Sequence, residues 1–405
     1  MSRARTRAAA GGDPEVHGTC DPALGEVLDT FRSVLSRTLG GAAFSVIVDG
    51  STVVSLSGGW ADRARVVPWR VNTGTTVFSG SKGLVSMCLA LLLDRGQLDL
   101  DAPVCRYWPE FAAAGKERVS VREIASHTAG LPALSVNPSV RELCDPAGCV
   151  ALLAQQRPHP RLAGVPCYHA LTFGWLCAEI VKRITGMPLS EFFRREIAAK
   201  AAADVRFGVP SADQAPIADL FVGAGWEMPE PQFDPEYAAR IFGDPELWAV
   251  NHLAWNRPVV RAAEIPGAGA IGTAEGMARC YAAFVDGLDG APALVSRETL
   301  DQFTGEQSAG IDPCFGDPLR FGVGFQLQSD PLYYLGPPLD AFGHSGAGGS
   351  SHGWWPSDRV AFSFVMNEML AGTEDVRARD LLGAVHRCLD ADEAPPSKVR
   401  PCLTT

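Results

Sequence analysis

Ser79-Gly80-Ser81-Lys82 sets a hydroxyl and an amine three residues apart at the start of the apolar run Gly83 to Leu93. On a helix that spacing brings both side chains to one face. A serine hydroxyl is a poor nucleophile until a base takes its proton, and a lysine can do so only when desolvation or neighbouring positive charge keeps it neutral. A helix buried all round supplies the desolvation, and its N-terminus offers free N–H groups to an oxyanion. The pattern predicts acyl transfer through Ser79 with Lys82 as base. Lysine is scarce, 5 of 35 basic residues, as in a chain written by a GC-rich genome. Lys116, Lys182, Lys200 and Lys398 lie in polar or charged stretches where arginine would serve equally well. Lys82 alone sits at the mouth of an apolar helix, where arginine could not give up its proton.

These residues need a scaffold. Asp21-Pro22 opens a helix as N-cap and first-turn proline, and Leu24, Val27, Leu28, Phe31, Val34 and Leu35 follow at helical spacing. Phe44 to Val48 and Thr52 to Leu56 flank Asp49-Gly50-Ser51, which predicts a β-hairpin. From Ser79 to Phe284 the text is helical, with glycine stops at Gly96 and Gly186 and proline turns between. Period-2 runs return over Phe321 to Gln328, His352 to Trp355 and Val360 to Val365, before a last amphipathic helix capped by Thr373 and running to about Leu389. The order predicts an α/β (α+β) fold. One antiparallel sheet, made of 21–78 and 268–390, is flanked by the terminal helices; a mostly helical lobe, 79–267, is inserted and leaves a cleft. Residues 1–20 and 391–405 are expected to be disordered tails.

Composition narrows the partners. A formal charge of -11 disfavours nucleic acid. The most apolar stretch, Val85 to Leu93, is closed by Asp94 and falls far short of the roughly 20 residues that span a bilayer. The start, MSRARTRAAAGGDPEV, lacks the apolar segment of a signal peptide. Eleven cysteines, several of them (Cys88, Cys177, Cys280) inside apolar helical runs, fit reduced thiols. The expectation is a cytoplasmic protein whose partners are small molecules.

Several further motifs stand in order along the chain: Gly58-Gly59-Trp60-Ala61-Asp62, Ser126-His127-Thr128-Ala129-Gly130-Leu131-Pro132, Tyr168-His169-Ala170-Leu171-Thr172-Phe173-Gly174-Trp175, and Phe342 to Gly349. With them nearly the whole chain resembles the serine β-lactamase-like hydrolases, in the branch holding class C β-lactamases, family VIII carboxylesterases and lovastatin-type acyltransferases. The resemblance implies a β-lactamase/penicillin-binding-protein-like fold and no cofactor. It implies Ser79 as the acylated nucleophile, Lys82 as its base and Tyr168 as a phenol that shuttles the proton to the leaving group. The oxyanion hole would be the backbone N–H groups of Ser79 and Ala347.

Two departures shape the substrate. Where the β-lactamases and D-alanyl-peptidases carry Tyr-x-Asn, the third position here is Ala170, with neither donor nor acceptor. Where their third motif begins with lysine, His344 stands, neutral or only partly charged near neutral pH. The combination Tyr168-x-x and His344-Ser345-Gly346 resembles the members that act on neutral esters or thioesters. Water or an amine or alcohol acceptor would release the acyl group, so an ester-tailoring acyltransferase of secondary metabolism fits as well as a hydrolase. β-Lactamase or D-alanyl-peptidase activity and a non-catalytic binding protein are the alternatives. His169 either lines the pocket or points away. Trp226, Trp248 and Trp255, in an aromatic block with Phe221, Phe233, Tyr237 and Phe242, are either core or a substrate-shaping lid over 220–260.

Other patterns fail on context. Gly349-Ser350-Ser351-His352-Gly353 matches a nucleophile elbow, but Trp354-Trp355-Pro356 follows instead of a helix. Gly267-Ala268-Gly269-Ala270-Ile271-Gly272 matches a dinucleotide fingerprint without a βαβ unit. His127 reads as a loop-fixing residue. Cys144 and Cys149 lack a second pair of ligands, so no metal site is expected.

Overall fold

The computed structural model of the protein describes residues 15–214, 216–329, 334–371 and 375–393. The chain runs through β1 (Val16–Cys20), α1 (Gly25–Ser36), β2 (Gly41–Val48), β3 (Ser51–Gly59), β4 (Thr75–Thr76), α2 (Ser81–Asp94) and α3 (Thr172–Thr185). It continues through β5 (Val205–Phe207), β6 (Ala270–Gly272), α4 (Ala274–Val285) and α5 (Arg297–Thr304). Six strands follow, β7 (Ser308–Ile311), β8 (Pro318–Phe321), β9 (Gln326–Leu327), β10 (Phe342–Ser345), β11 (Ser351–Trp355) and β12 (Val360–Met366), and then α6 (Arg377–Glu393).

The main sheet has nine antiparallel strands in the order β1-β3-β2-β12-β11-β10-β9-β8-β7, so the two ends of the chain meet at β2 and β12. Asp49 and Gly50, with φ of 48° and 73°, close the β2–β3 hairpin in the left-handed conformation that its twist demands. One face is covered by α1 and α6, whose apolar stripes (Val27, Phe31, Val34 and Leu381, Leu382, Val385) join the sheet residues Phe44, Val46, Phe362 and Phe364. The other face carries α4, packed on β2, β11 and β12, and α2, packed on β10. Every residue of α2 from Ser81 to Leu92 is buried, as a helix apolar on all sides must be. No helix among the described residues is long and apolar enough to cross a membrane.

Four sequence expectations need correction. Residues 16–20, taken as tail, form the edge strand β1, paired with β3 from Val16↔Gly58 to Cys20↔Val54; a short run holding a histidine and a glycine carries too little pattern to reveal it. Phe321 to Gln328 is not one strand: the chain folds back at Gly322–Gly324, so that Gln326 pairs with Phe321. The boundary at 268 is not clean either, because α5 packs on α2 beside the helical part. The last helix extends to Glu393, and the Asp375 carboxylate accepts the Arg377 N–H at its start (3.0 Å). Thr373, the expected cap, and residues 1–14 and 394–405 of the expected tails lie outside the described residues.

Candidate active site

The turn into α2 is built to project one hydroxyl. β4 pairs with β6, and the Val77 N–H donates to Ala270 O (2.9 Å). Phe78 then takes φ of +45°, a sparsely populated backbone state that costs about 1–3 kcal/mol. Its ring is held on both sides, stacked on Trp248 at 5.5 Å and edge-on to Trp255 at 5.4 Å. Ser79 emerges half-buried, whereas Lys82, one turn on, is fully buried.

The Lys82 amine has three neighbours. Ala170 O and Gly267 O each lie 2.7 Å away, and Ser79 Oγ lies at 3.1 Å. Two carbonyls can only accept, so they take the two N–H bonds of a neutral amine and leave its lone pair for the Ser79 hydroxyl. Burial favours that form and holds the Lys82 pKa well below the usual lysine range. Lys116 makes the contrast, and corrects the expectation that arginine would serve equally well there. It too is fully buried, but its amine meets three carbonyls, Ala113 O, Ala154 O and Gln156 O, at 2.5–3.0 Å. Three acceptors suit an ammonium; two carbonyls and a hydroxyl suit a base.

Close packing fixes the two carbonyls around Lys82. Ala270 N–H donates to Ser81 Oγ (3.0 Å), which ties the Gly267–Gly272 loop to the head of α2. A Cβ at Gly174, in α3, would stand 1.9 Å from Gly267 N. Gly174→Ala is therefore expected to push the Pro266–Gly267 backbone off Lys82. Overpacking of this kind costs about 1–3 kcal/mol, more than the roughly 1 kcal/mol that alanine gains in a helix. Calorimetry should show a lower unfolding midpoint; an unchanged or raised midpoint would refute the contact.

Tyr168 completes the cluster. Its ring centre lies 4.7 Å from Lys82 Nζ, and its N–H donates to Asp312 Oδ2 (2.8 Å). Burial pushes the phenol pKa up, and the Ser79 contact offsets only part of that, so the phenol keeps its proton at neutral pH.

The third motif closes the site. Gly346 lies against the elbow, for a Cβ there would meet Val77 O at 2.3 Å and Ser350 Oγ at 2.4 Å. Gln326 Oε1 accepts from both Ser345 N (2.7 Å) and Ser345 Oγ (2.9 Å), and the buried Arg377 donates to Gly348 O (2.9 Å). The turn is thus pinned at both ends. Among the described residues neither Ser79 N–H nor Ala347 N–H donates to a protein acceptor. His344 is fully buried, and its ring centre is 6.2 Å from that of Tyr168. Its Nδ1 lies 2.7 Å from Ser345 O; since a carbonyl only accepts, Nδ1 carries the hydrogen and Nε2 presents a lone pair, buried and without a protein partner. Burial holds its pKa well below the usual histidine range.

Ser79, Lys82, Tyr168, His344 and the Ser345–Ala347 turn therefore come together. Other candidates do not. His169 points into the core, where Nε2 accepts the Leu131 N–H (3.1 Å) and Nδ1 donates to Cys167 O (2.7 Å). His127 Nδ1 accepts the His169 N–H (3.1 Å), a loop-fixing role. Trp255 is 2% exposed and buttresses Phe78 instead of lining a pocket. Trp248 and Trp226 are half-buried, with rings 6.4 Å apart, and the segment that carries them is clamped by Asn256, whose amide bonds both N–H and O of Leu220. Ser351 is buried within β11, not on an elbow. Gln326 and Arg377 escaped the sequence reading because nothing local distinguishes them from any other glutamine or arginine.

The family model described as Beta-lactamase matches residues 26–386. The protein is 34% identical over 373 residues to the esterase/beta-lactamase LipL of Mycobacterium tuberculosis, covering 88% of this chain and 84% of that one. A family VIII carboxylesterase structure superposes with a TM-score of 0.83 at 32% identity, over 92% of this chain and 100% of that one. A penicillin-binding protein homologue from Caulobacter crescentus does so at 0.84 and 30% identity, again over 92% and 100%. With a family model that spans most of its length and relatives of this fold, the chain belongs to the β-lactamase family, among the serine β-lactamase-like hydrolases.

Proposed function

We propose that the protein is a serine esterase that cleaves a neutral ester or thioester through an acyl-enzyme on Ser79. Lys82 takes the Ser79 proton as Oγ attacks the carbonyl carbon. The new oxyanion is met by the Ser79 and Ala347 N–H groups, each such donor being worth about 10²–10³ in rate. Tyr168, still protonated, relays the proton from the lysine side to the departing alkoxide or thiolate. Water then attacks the acyl-enzyme by the same path in reverse and frees the acid.

The observation that carries the substrate class is the His344 Nε2 lone pair. Where a cation would attract the carboxylate of a β-lactam, this site offers a buried acceptor, which suits an uncharged or hydrogen-bond-donating substrate and repels an anion. Ala170, whose side chain cannot bind an acyl amide, supports the same reading, as do relatives described as esterases.

Turnover of a short-chain p-nitrophenyl ester should exceed that of nitrocefin. His344→Lys should shift the ratio toward nitrocefin by about 10- to 100-fold, the worth of a hydrogen bond to a charged group. Faster nitrocefin turnover by the unaltered protein would overturn the assignment.

A further inference from the structure

Beside the Tyr168 backbone, three ligand-bearing side chains from two distant parts of the chain converge. Cys167 Sγ and Cys314 Sγ are 3.6 Å apart, and with an Asp312 carboxylate oxygen they form a cluster whose ligand atoms all lie within 4.8 Å of one another. Both cysteines are fully buried and Asp312 is 1% exposed. The carboxylate is already aimed: Oδ1 accepts the Cys314 N–H (2.7 Å) and Oδ2 the Tyr168 N–H (2.8 Å). A tight turn, closed by Asp312 N–H to Asp317 O (2.7 Å) and Gly316 N–H to Asp312 O (2.8 Å), holds Asp312 and Cys314 in place.

The spacing is that of a metal chelate. Two sulfurs each about 2.3 Å from a tetrahedral ion stand about 3.8 Å apart, so the sulfur pair needs a shift of only a few tenths of an ångström, and the carboxylate about 1 Å. Two thiolates and one carboxylate select a soft or borderline ion of the zinc and cadmium kind over magnesium or calcium. We propose that Cys167, Asp312 and Cys314 form a binding site for a divalent zinc-group cation, with a water in the fourth position. The balance is two thiols and one carboxylate taking up one divalent ion and releasing two protons, which leaves a complex of charge -1. Because Asp312 Oδ2 also holds the Tyr168 backbone, loading the site would reposition the phenol and slow turnover at Ser79.

The full chain, reduced and freed of metal under anaerobic conditions, should take up one equivalent of cadmium with a thiolate-to-metal charge-transfer band. It should also withdraw zinc from a chromophoric chelator. Cys167→Ser/Cys314→Ser should lose both, and Cys144→Ser/Cys149→Ser should keep both. An X-ray absorption spectrum of the zinc-loaded unaltered protein, independent of how any variant folds, should show two sulfur neighbours completed by oxygen. Ester turnover should fall on loading and return with chelator. A first shell with fewer than two sulfurs, uptake unchanged in the Cys167/Cys314 double variant, or a Cys167–Cys314 disulfide forming in place of metal uptake would each overturn the site.

Discussion

Replacing Ser79 with alanine is expected to lower ester turnover by about 10⁶-fold, since removal of the nucleophile in a comparable acyl-enzyme machine costs about that much. The fold should survive: the side chain is small and half-buried, and the elbow is held by Phe78 between Trp248 and Trp255 and not by the Ser79 hydroxyl. A fluorophosphonate should label the unaltered protein on Ser79 and leave the Ser79→Ala variant unlabelled. Equal labelling of the two would place the nucleophile elsewhere, and no labelling of the unaltered protein would favour a binding protein that keeps the fold without the reaction.

Lys82 gives the second large effect. Lys82→Arg keeps a cation that never loses its proton, and Lys82→Met keeps approximate volume without a base; both should lose about 10²–10⁴ in kcat/KM. In the unaltered protein the acid limb of kcat/KM should rise as Lys82 deprotonates, at a pH well below the ordinary lysine range because burial lowers its pKa. Stability carries the same signature with a definite sign. Between the depressed folded pKa and the ordinary value of 10.5, the unfolded lysine binds a proton that the folded one does not. Stability must therefore rise with pH across that window. Lys82→Met should remove this pH dependence, so the unfolding free energy of the unaltered protein, measured by denaturant from neutral to alkaline pH, should gain on that of the variant as pH rises. Parallel curves would mean that Lys82 is charged in the folded protein.

The legible part of this site is the part that chemistry confines to short spacing. Ser79 and Lys82 share a helix face, Tyr168 heads the next long helix, and the small residues of Ser345–Gly349 stand together. Hydrophobic period likewise revealed the β2–β3 hairpin, α1 and β12. What stayed hidden depends on partners far along the chain. The carbonyls that hold Lys82 come from residues 88 and 185 positions away, and Cys167 meets Cys314 across 147. A backbone carbonyl has no sequence signature at all, since every residue supplies one. Side-chain type also misled where burial decides the role: Lys116 lies in a charged stretch, yet the fold wraps three carbonyls around it, and Trp255, rich in contact area, was spent on bracing the elbow.

The pair of carbonyls around Lys82 bears on how activity arises during synthesis. Ala170 and Gly267 leave the ribosome long after Ser79, and the Ala347 turn later still. Until Gly267 docks, the amine lacks its second acceptor and stays open to water, where it is an ordinary protonated lysine beside an ordinary alcohol. By the proposed mechanism the nascent chain therefore carries no reactive serine for an ester to acylate. Covalent labelling of Ser79 would, by the same mechanism, report completed tertiary assembly, so a pulse-labelled population scored with an acylating probe would count finished molecules only.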